Sequence, residues 1–200
     1  MIAPAVPSNS LLKSWKNPVQ LQPILQKLSS AQEAFLRAAD GVSAPDWLKR
    51  PDSKCWSAGH LVAHLCLVER GTLALADRII QKQAKPRPFY TRLHLPSAMV
   101  ESRVVKVRSP AIVTPTGRLD DKEIMMAELR GVRERTLAFL QETHGRNFTR
   151  YSWRHPFLGY LNFYEWFTFV AAHQNRHSQQ MWEIGQNLPK GVASSRKQKS

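Results

Sequence analysis

His173 and His177 stand four residues apart, and His60 and His64 repeat that spacing earlier in the chain. On a helix, residues four apart lie on one face, about one turn from each other. Two imidazoles so placed can grip a single metal ion, as they do on metalloprotease helices. A buried imidazole needs a partner for each ring nitrogen. Three imidazoles close together also repel one another once protonated. A divalent ion removes both difficulties by taking one lone pair from each neutral ring. Three protein ligands with an open fourth position is the usual arrangement of a catalytic zinc rather than a structural one.

Spacing does not say whether His60 or His64 would complete such a set. Position favours His64, which lies between Leu61, Leu65 and Val68. His60 is one turn nearer the helix start and further off that stripe. The other histidines read as ordinary: His155 precedes Pro156 in a turn, His144 ends a helix where its charge suits the dipole, and His94 lies in a loop. Glu69 is five residues past His64, about 140° around the helix. A capping contact or an interhelical ion pair is its expected role, not ligation of the same ion. Cys66, two past His64, points elsewhere. Arg176 and Gln180 share the helix of His173 and His177, and either line a pocket or face solvent. No general base stands out, so no catalytic residue is assigned.

The elements that must position these groups follow from apolar periodicity. Leu21, Leu25, Leu28, Ala31, Phe35 and Ala38 recur at threes and fours, which predicts a helix over 19–39 with Pro23 in its first turn and Gly41 as its stop. Residues 41–54 read as a loop. Ser57 is the expected N-cap of a second helix running to about Gln83, with a stripe of Leu61, Leu65, Val68, Thr72, Leu75 and Ile79. Residues 84–119 hold five prolines and read as an irregular connection, with Arg103 to Val107 locally extended. A link this long is understandable if it crosses the bundle end to end, which makes the second and third helices parallel. Asp120 and Asp121 open a third helix carrying Met125, Leu129, Val132, Thr136 and Leu140, and Gly145 stops it. After a loop with His155-Pro156 and Gly159, a fourth helix runs from about Asn162 to Gln186. Its stripe is Phe163, Phe167, Val170, Gln174, His177, Met181 and Ile184. The fold class is all-α: a four-helix bundle with a long crossover between helices 2 and 3, occupying 19–189 between a loose leader, 1–18, and a disordered basic tail, 190–200.

Composition agrees with one domain. Apolar residues make up 42% and charged residues 22%, enough for a core and too little charge for disorder. The aromatic run Tyr160, Phe163, Tyr164, Trp166, Phe167 and Phe169 reads as core, with a subset able to wall a cavity. Two cysteines, Cys55 and Cys66, make neither a disulfide framework nor a metal clip. Reduced thiols in a cytoplasmic protein are expected. The N-terminal MIAPAVPSNSLLKSW lacks the pattern of a secretory signal, and no apolar run is long enough to span a membrane. The net charge of +14 is concentrated outside the helices. Lys82 to Arg118 carries eight basic residues against one acid, and Lys190 to Ser200 carries four against none. That placement weakens a nucleic-acid reading without removing it.

Several pieces together resemble the DinB-like superfamily. Trp56-Ser57, His64-Leu65 and Glu69 are similar to the start of that family's second helix. His155-Pro156-Phe157-Leu158-Gly159 looks like its H-P-x-x-G turn, and Glu165-Trp166 followed by His173-x-x-Arg176-His177-x-x-Gln180 resembles its last helix. The order and spacing fit from about residue 20 to 188. The resemblance implies a four-helix bundle with a crossover and a metal held by His64, His173 and His177, His60 having no counterpart among those ligands. It further implies a metal-dependent enzyme acting on a small molecule, of thiol-dependent S-transferase or hydrolase type. Zinc or nickel is the expected ion, with a low-molecular-weight thiol as a candidate co-substrate. The alternative is a non-catalytic scaffold that binds nucleic acid or another polyanion through the crossover and tail. A homodimer fits the bundle class, though no pairing face stands out. The long basic connection and the basic tail depart from the simplest members of that family.

Overall fold

A computed structural model of the chain describes residues 21–53, 55–81, 110, 113–117 and 119–188. The expected leader, the tail, the extended Arg103 to Val107 stretch and most of the crossover lie outside the described residues. Four helices dominate: α1 (Gln22–Asp40), α2 (Ala58–Gln81), α3 (Lys122–Glu142) and α4 (Phe163–Asn187). The all-α bundle expected from periodicity is what the chain forms.

Each helix starts and stops for local reasons. Pro23 sits in the first turn of α1, where its missing N–H costs nothing. Ser57 Oγ accepts the His60 backbone N–H at 3.3 Å, the expected cap of α2. Beyond the end of α3, Gly145 takes a φ of +79°, a left-handed turn that side chains other than glycine's rarely adopt. Asn162 Oδ1 accepts from the Tyr164 and Glu165 backbones at 2.9 Å each, and Glu165 Oε2 accepts back from Asn162 N at 2.7 Å. That reciprocal box fixes where α4 begins and hence which of its residues face inward.

The path of the chain follows from which residues meet. A Cβ on Gly59, at the start of α2, would touch Leu119, just before α3. Further along, Arg70 pairs with Glu128 at 2.7 Å and Glu69 with Arg133 at 2.7 Å. Positions therefore advance together, and α2 and α3 run parallel, as the crossover requires. α1 and α4 also run parallel, since Leu28 shares a cluster with Phe163 and Phe167 while Phe35 shares one with Met181. The core is thus two apolar clusters. A layer of buried polar residues, Glu69, Arg133 and Gln174, falls between them in sequence on each helix.

Four details differ from expectation. Residues 152–162 are not a plain loop: β1 (Ser152–His155) and β2 (Gly159–Asn162) form an antiparallel hairpin with His155 opposite Gly159. Gly159 has φ +83°, which lets the turn close. In α2 the stripe passes through Ala76, fully buried, and leaves Leu75 42% exposed. In α1, Ile24 and Ala39 are buried where Leu25 and Ala38 are only partly so. The loop after α1 also contains a short 3-10 turn, Ala44–Asp46, that plugs Trp47 into the core with its indole N–H on Met125 Sδ at 3.4 Å.

Candidate metal centre

The three histidines expected on core-facing positions meet. His64 Nε2 lies 3.2 Å from His173 Nε2, and His177 Nε2 lies 3.2 Å from the same atom. A ligand atom from each falls within 4.8 Å of the others. His64 and His177 are buried and His173 is half-buried. α2 delivers the first ring and α4 the other two, one turn apart. Trp56 covers His64 at 5.0 Å between ring centres, and Phe169 stacks on His173 at 5.3 Å.

The outer nitrogens fix the tautomers. His64 Nδ1 faces the Val113 carbonyl at 2.7 Å, and His177 Nδ1 faces Gln180 Oε1 at 3.0 Å. A carbonyl oxygen only accepts, so both Nδ1 atoms carry the proton. The Nε2 atoms of these two rings are then bare lone pairs turned toward His173 Nε2. A single N–H on His173 Nε2 cannot be directed at both.

Protonation offers no escape. Burial pushes the His64 imidazole below its ordinary value, only partly offset by the Val113 carbonyl. Burial holds His173 well below it, reinforced by His177, His64, His155 and Arg176. A cation in the middle accepts all the lone pairs at once. Two nitrogens about 2.0–2.1 Å from an ion at a tetrahedral angle lie about 3.3–3.4 Å apart, close to the separations found. The donor set fits a divalent metal with an open position.

His60 stands outside the cluster for a definite reason. Arg50 Nη2 donates to its Nε2 at 3.0 Å, so its Nδ1 carries the hydrogen and donates to Ser57 Oγ at 2.7 Å. Burial and then the Arg50 charge lower its affinity for a proton. His155, expected in a turn, ends β1 and flanks the turn at 156–158. Its Nδ1 accepts the Phe157 and Leu158 backbone N–H groups at 3.1 Å each, and its ring packs edge-on to Phe169 at 4.4 Å. Burial lowers it to about 4. His144 is exposed just past the end of α3, and His94 lies outside the described residues.

Cys66 is buried, and its thiol is pushed up to about 12, chiefly by burial, so it supplies no thiolate. Of the two roles expected of Glu69, capping or an interhelical ion pair, it takes the second, with Arg133. Sequence reasoning missed Arg133 and Val113. Arg133 announced itself as a charge next to Val132 on the apolar face of α3. Val113 contributes a backbone carbonyl, which no side-chain pattern reports.

The basic crossover and tail, on which nucleic-acid binding would rest, lie almost wholly outside the described residues. No helix among the described residues is long and apolar enough to cross a membrane.

A sequence model of the DinB superfamily matches residues 27–181. A Bacillus subtilis (strain 168) protein, described as uncharacterized protein YuaE, is 24% identical over 148 residues, which cover 74% of this chain and 88% of that one. No solved structure matches.

Proposed function

The chain belongs to the DinB superfamily, and on that premise we propose that it is a metal-dependent enzyme acting on a small molecule, with His64, His173 and His177 as the ligands of one divalent ion. Zinc or nickel is the ion we favour, and thiol-dependent S-transfer or hydrolysis is the reaction class. The observation that carries this reading is the set of three converging Nε2 atoms, two of them stripped of their hydrogen by Val113 and Gln180. When bound, the ion supplies a Lewis acid that acidifies a water or a low-molecular-weight thiol at its open position.

The chain's own residues do the rest. Val113 and Gln180 hold two rings in the ligating tautomer and raise their basicity. Burial keeps His64 and His173 neutral and so ready to ligate. Trp56 and Phe169 cover two of the rings, which reduces competition from water.

Metal content of tag-free protein by plasma mass spectrometry, wild type beside His173→Ala, tests the proposal. About one equivalent in the wild type and almost none in the variant is expected, since His173 Nε2 is the atom both other rings face. A variant that retains full metal content would overturn the ligand assignment.

A further inference from the structure

We infer that Arg133, with Glu69 and Gln174, is a positioning device that sets the spacing of α2 against α4 at which the three imidazoles converge; the inference rests on the metal reading above. Arg133 is 1% exposed. Its Nε donates to Glu69 Oε1 at 2.7 Å and its Nη2 to Glu69 Oε2 at 2.9 Å. The same Nη2 donates to Gln174 Oε1 at 2.7 Å, and Nη1 donates to the Leu28 carbonyl. One guanidinium on α3 therefore touches the other three helices.

Its contacts fall beside the ligands. Glu69 follows His64 by five residues, about 7.5 Å along the axis of α2. Gln174 follows His173 directly on α4. The two helices that carry the imidazoles are thus the two that Arg133 clamps by side chain. α2 and α4 pack on each other less extensively than α1 and α4 do. Where they meet, the buried residues include His64, Glu69, Gln174 and His177. Apolar residues of both helices meet in the two clusters on either side, and at the polar layer between them a planar, bidentate fork adds a constraint in distance and in orientation.

Stability alone does not account for the network. A buried ion pair is often no better than apolar residues of the same volume. Gln174 Nε2 is buried without a partner among the described residues, a further cost accepted while Oε1 takes the Arg133 hydrogen. A metal site, by contrast, needs its ligands held to within about 0.5 Å.

Cobalt(II) titration of tag-free protein, read by visible absorption, tests the inference. Glu69→Leu combined with Arg133→Met removes the charges while keeping the volume, and should still give a cooperatively unfolding helical protein. Its cobalt Kd should be weaker than wild type by about 10- to 100-fold, with an altered absorption band. Gln174→Leu leaves the Glu69–Arg133 pair in place and should weaken binding by about 10-fold, so it carries the test if the double variant does not fold. Val132→Ala, which opens a small cavity next to Arg133 on α3 without touching the network, should bind cobalt like wild type. Wild-type affinity and spectrum in the network variants, or equal weakening in Val132→Ala, would overturn the positioning role while leaving the metal site standing. Wild-type protein that takes up no cobalt would overturn the metal reading itself, and this inference with it.

Discussion

At the scale of single residues, the proposed centre is defined as much by its outer hydrogen bonds as by the three imidazoles. Gln180 is the clearest case. Its Oε1 takes the His177 Nδ1 hydrogen at 3.0 Å and so leaves the Nε2 lone pair available. Gln180→Leu frees that ring to turn or to change tautomer, and should weaken metal binding by about 10- to 100-fold with little effect on folding. Competition against a chromogenic chelator measures it, and an unchanged Kd would show that His177 needs no such partner. Residue type and i, i+4 spacing singled out His173, His177 and the His60/His64 pair as candidates, and the family resemblance chose His64 among them. Their tautomers were not legible. One depends on a backbone carbonyl at Val113, 49 residues from His64, and a carbonyl is present at every position of every sequence. Position on a stripe favoured His64 over His60, the resemblance agreed, and the Arg50 contact gives His60 another occupation.

At the scale of elements, α4 was the most readable. All seven residues of its expected stripe are buried, because the Asn162–Glu165 cap and the apolar period agree on its phase. The hairpin was missed because strands of four residues, SWRH and GYLN, are too short to show an alternating pattern. In α2 the larger Leu75 drew the stripe to itself, whereas the helical step that follows Thr72 buries Ala76.

The hairpin carries a pH dependence of its own. His155 spends its Nδ1 lone pair on two turn N–H groups, and burial lowers the ring from 6.5 to about 4. The unfolded chain takes up a proton there at a higher pH than the folded one. Stability is therefore full above about pH 6.5 and falls as pH drops from there toward about 4. His64 and His173 add to the same trend. His155→Gln, which keeps an acceptor for the turn, should make the decline shallower by at least about 1 kcal/mol across that window. Urea midpoints measured against pH in chelator-treated protein will show it, and superimposable profiles would remove His155 from the account.

At the scale of the whole molecule, one guanidinium ties four helices between two apolar clusters. Deleting it is a different event from replacing the network. Arg133→Ala strands the Glu69 carboxylate, 3% exposed, without its partner, and should cost about 3–5 kcal/mol in urea unfolding. Arg130→Ala, on the exposed face of the same helix, should stay within about 0.5 kcal/mol of wild type. A small effect at Arg133 would mean that water or another group reaches Glu69. The sequence pointed to a capping contact or an interhelical ion pair at Glu69, yet it could not name the partner. The register of α2 against α3 is set by the fold as a whole and leaves no local trace in either helix.

The parallel pairing of α2 with α3 also has a consequence in time. Up-and-down bundles assemble from neighbours in sequence, which is why they fold quickly. In this chain the first imidazole and its nearest partner are 109 residues apart. During synthesis His64 waits on a completed second helix until the last helix has emerged, and no ion can be trapped by three rings before then. The proposed metal thus joins the fold at its final step. It would act mainly by slowing escape from the finished state rather than by hastening arrival at it.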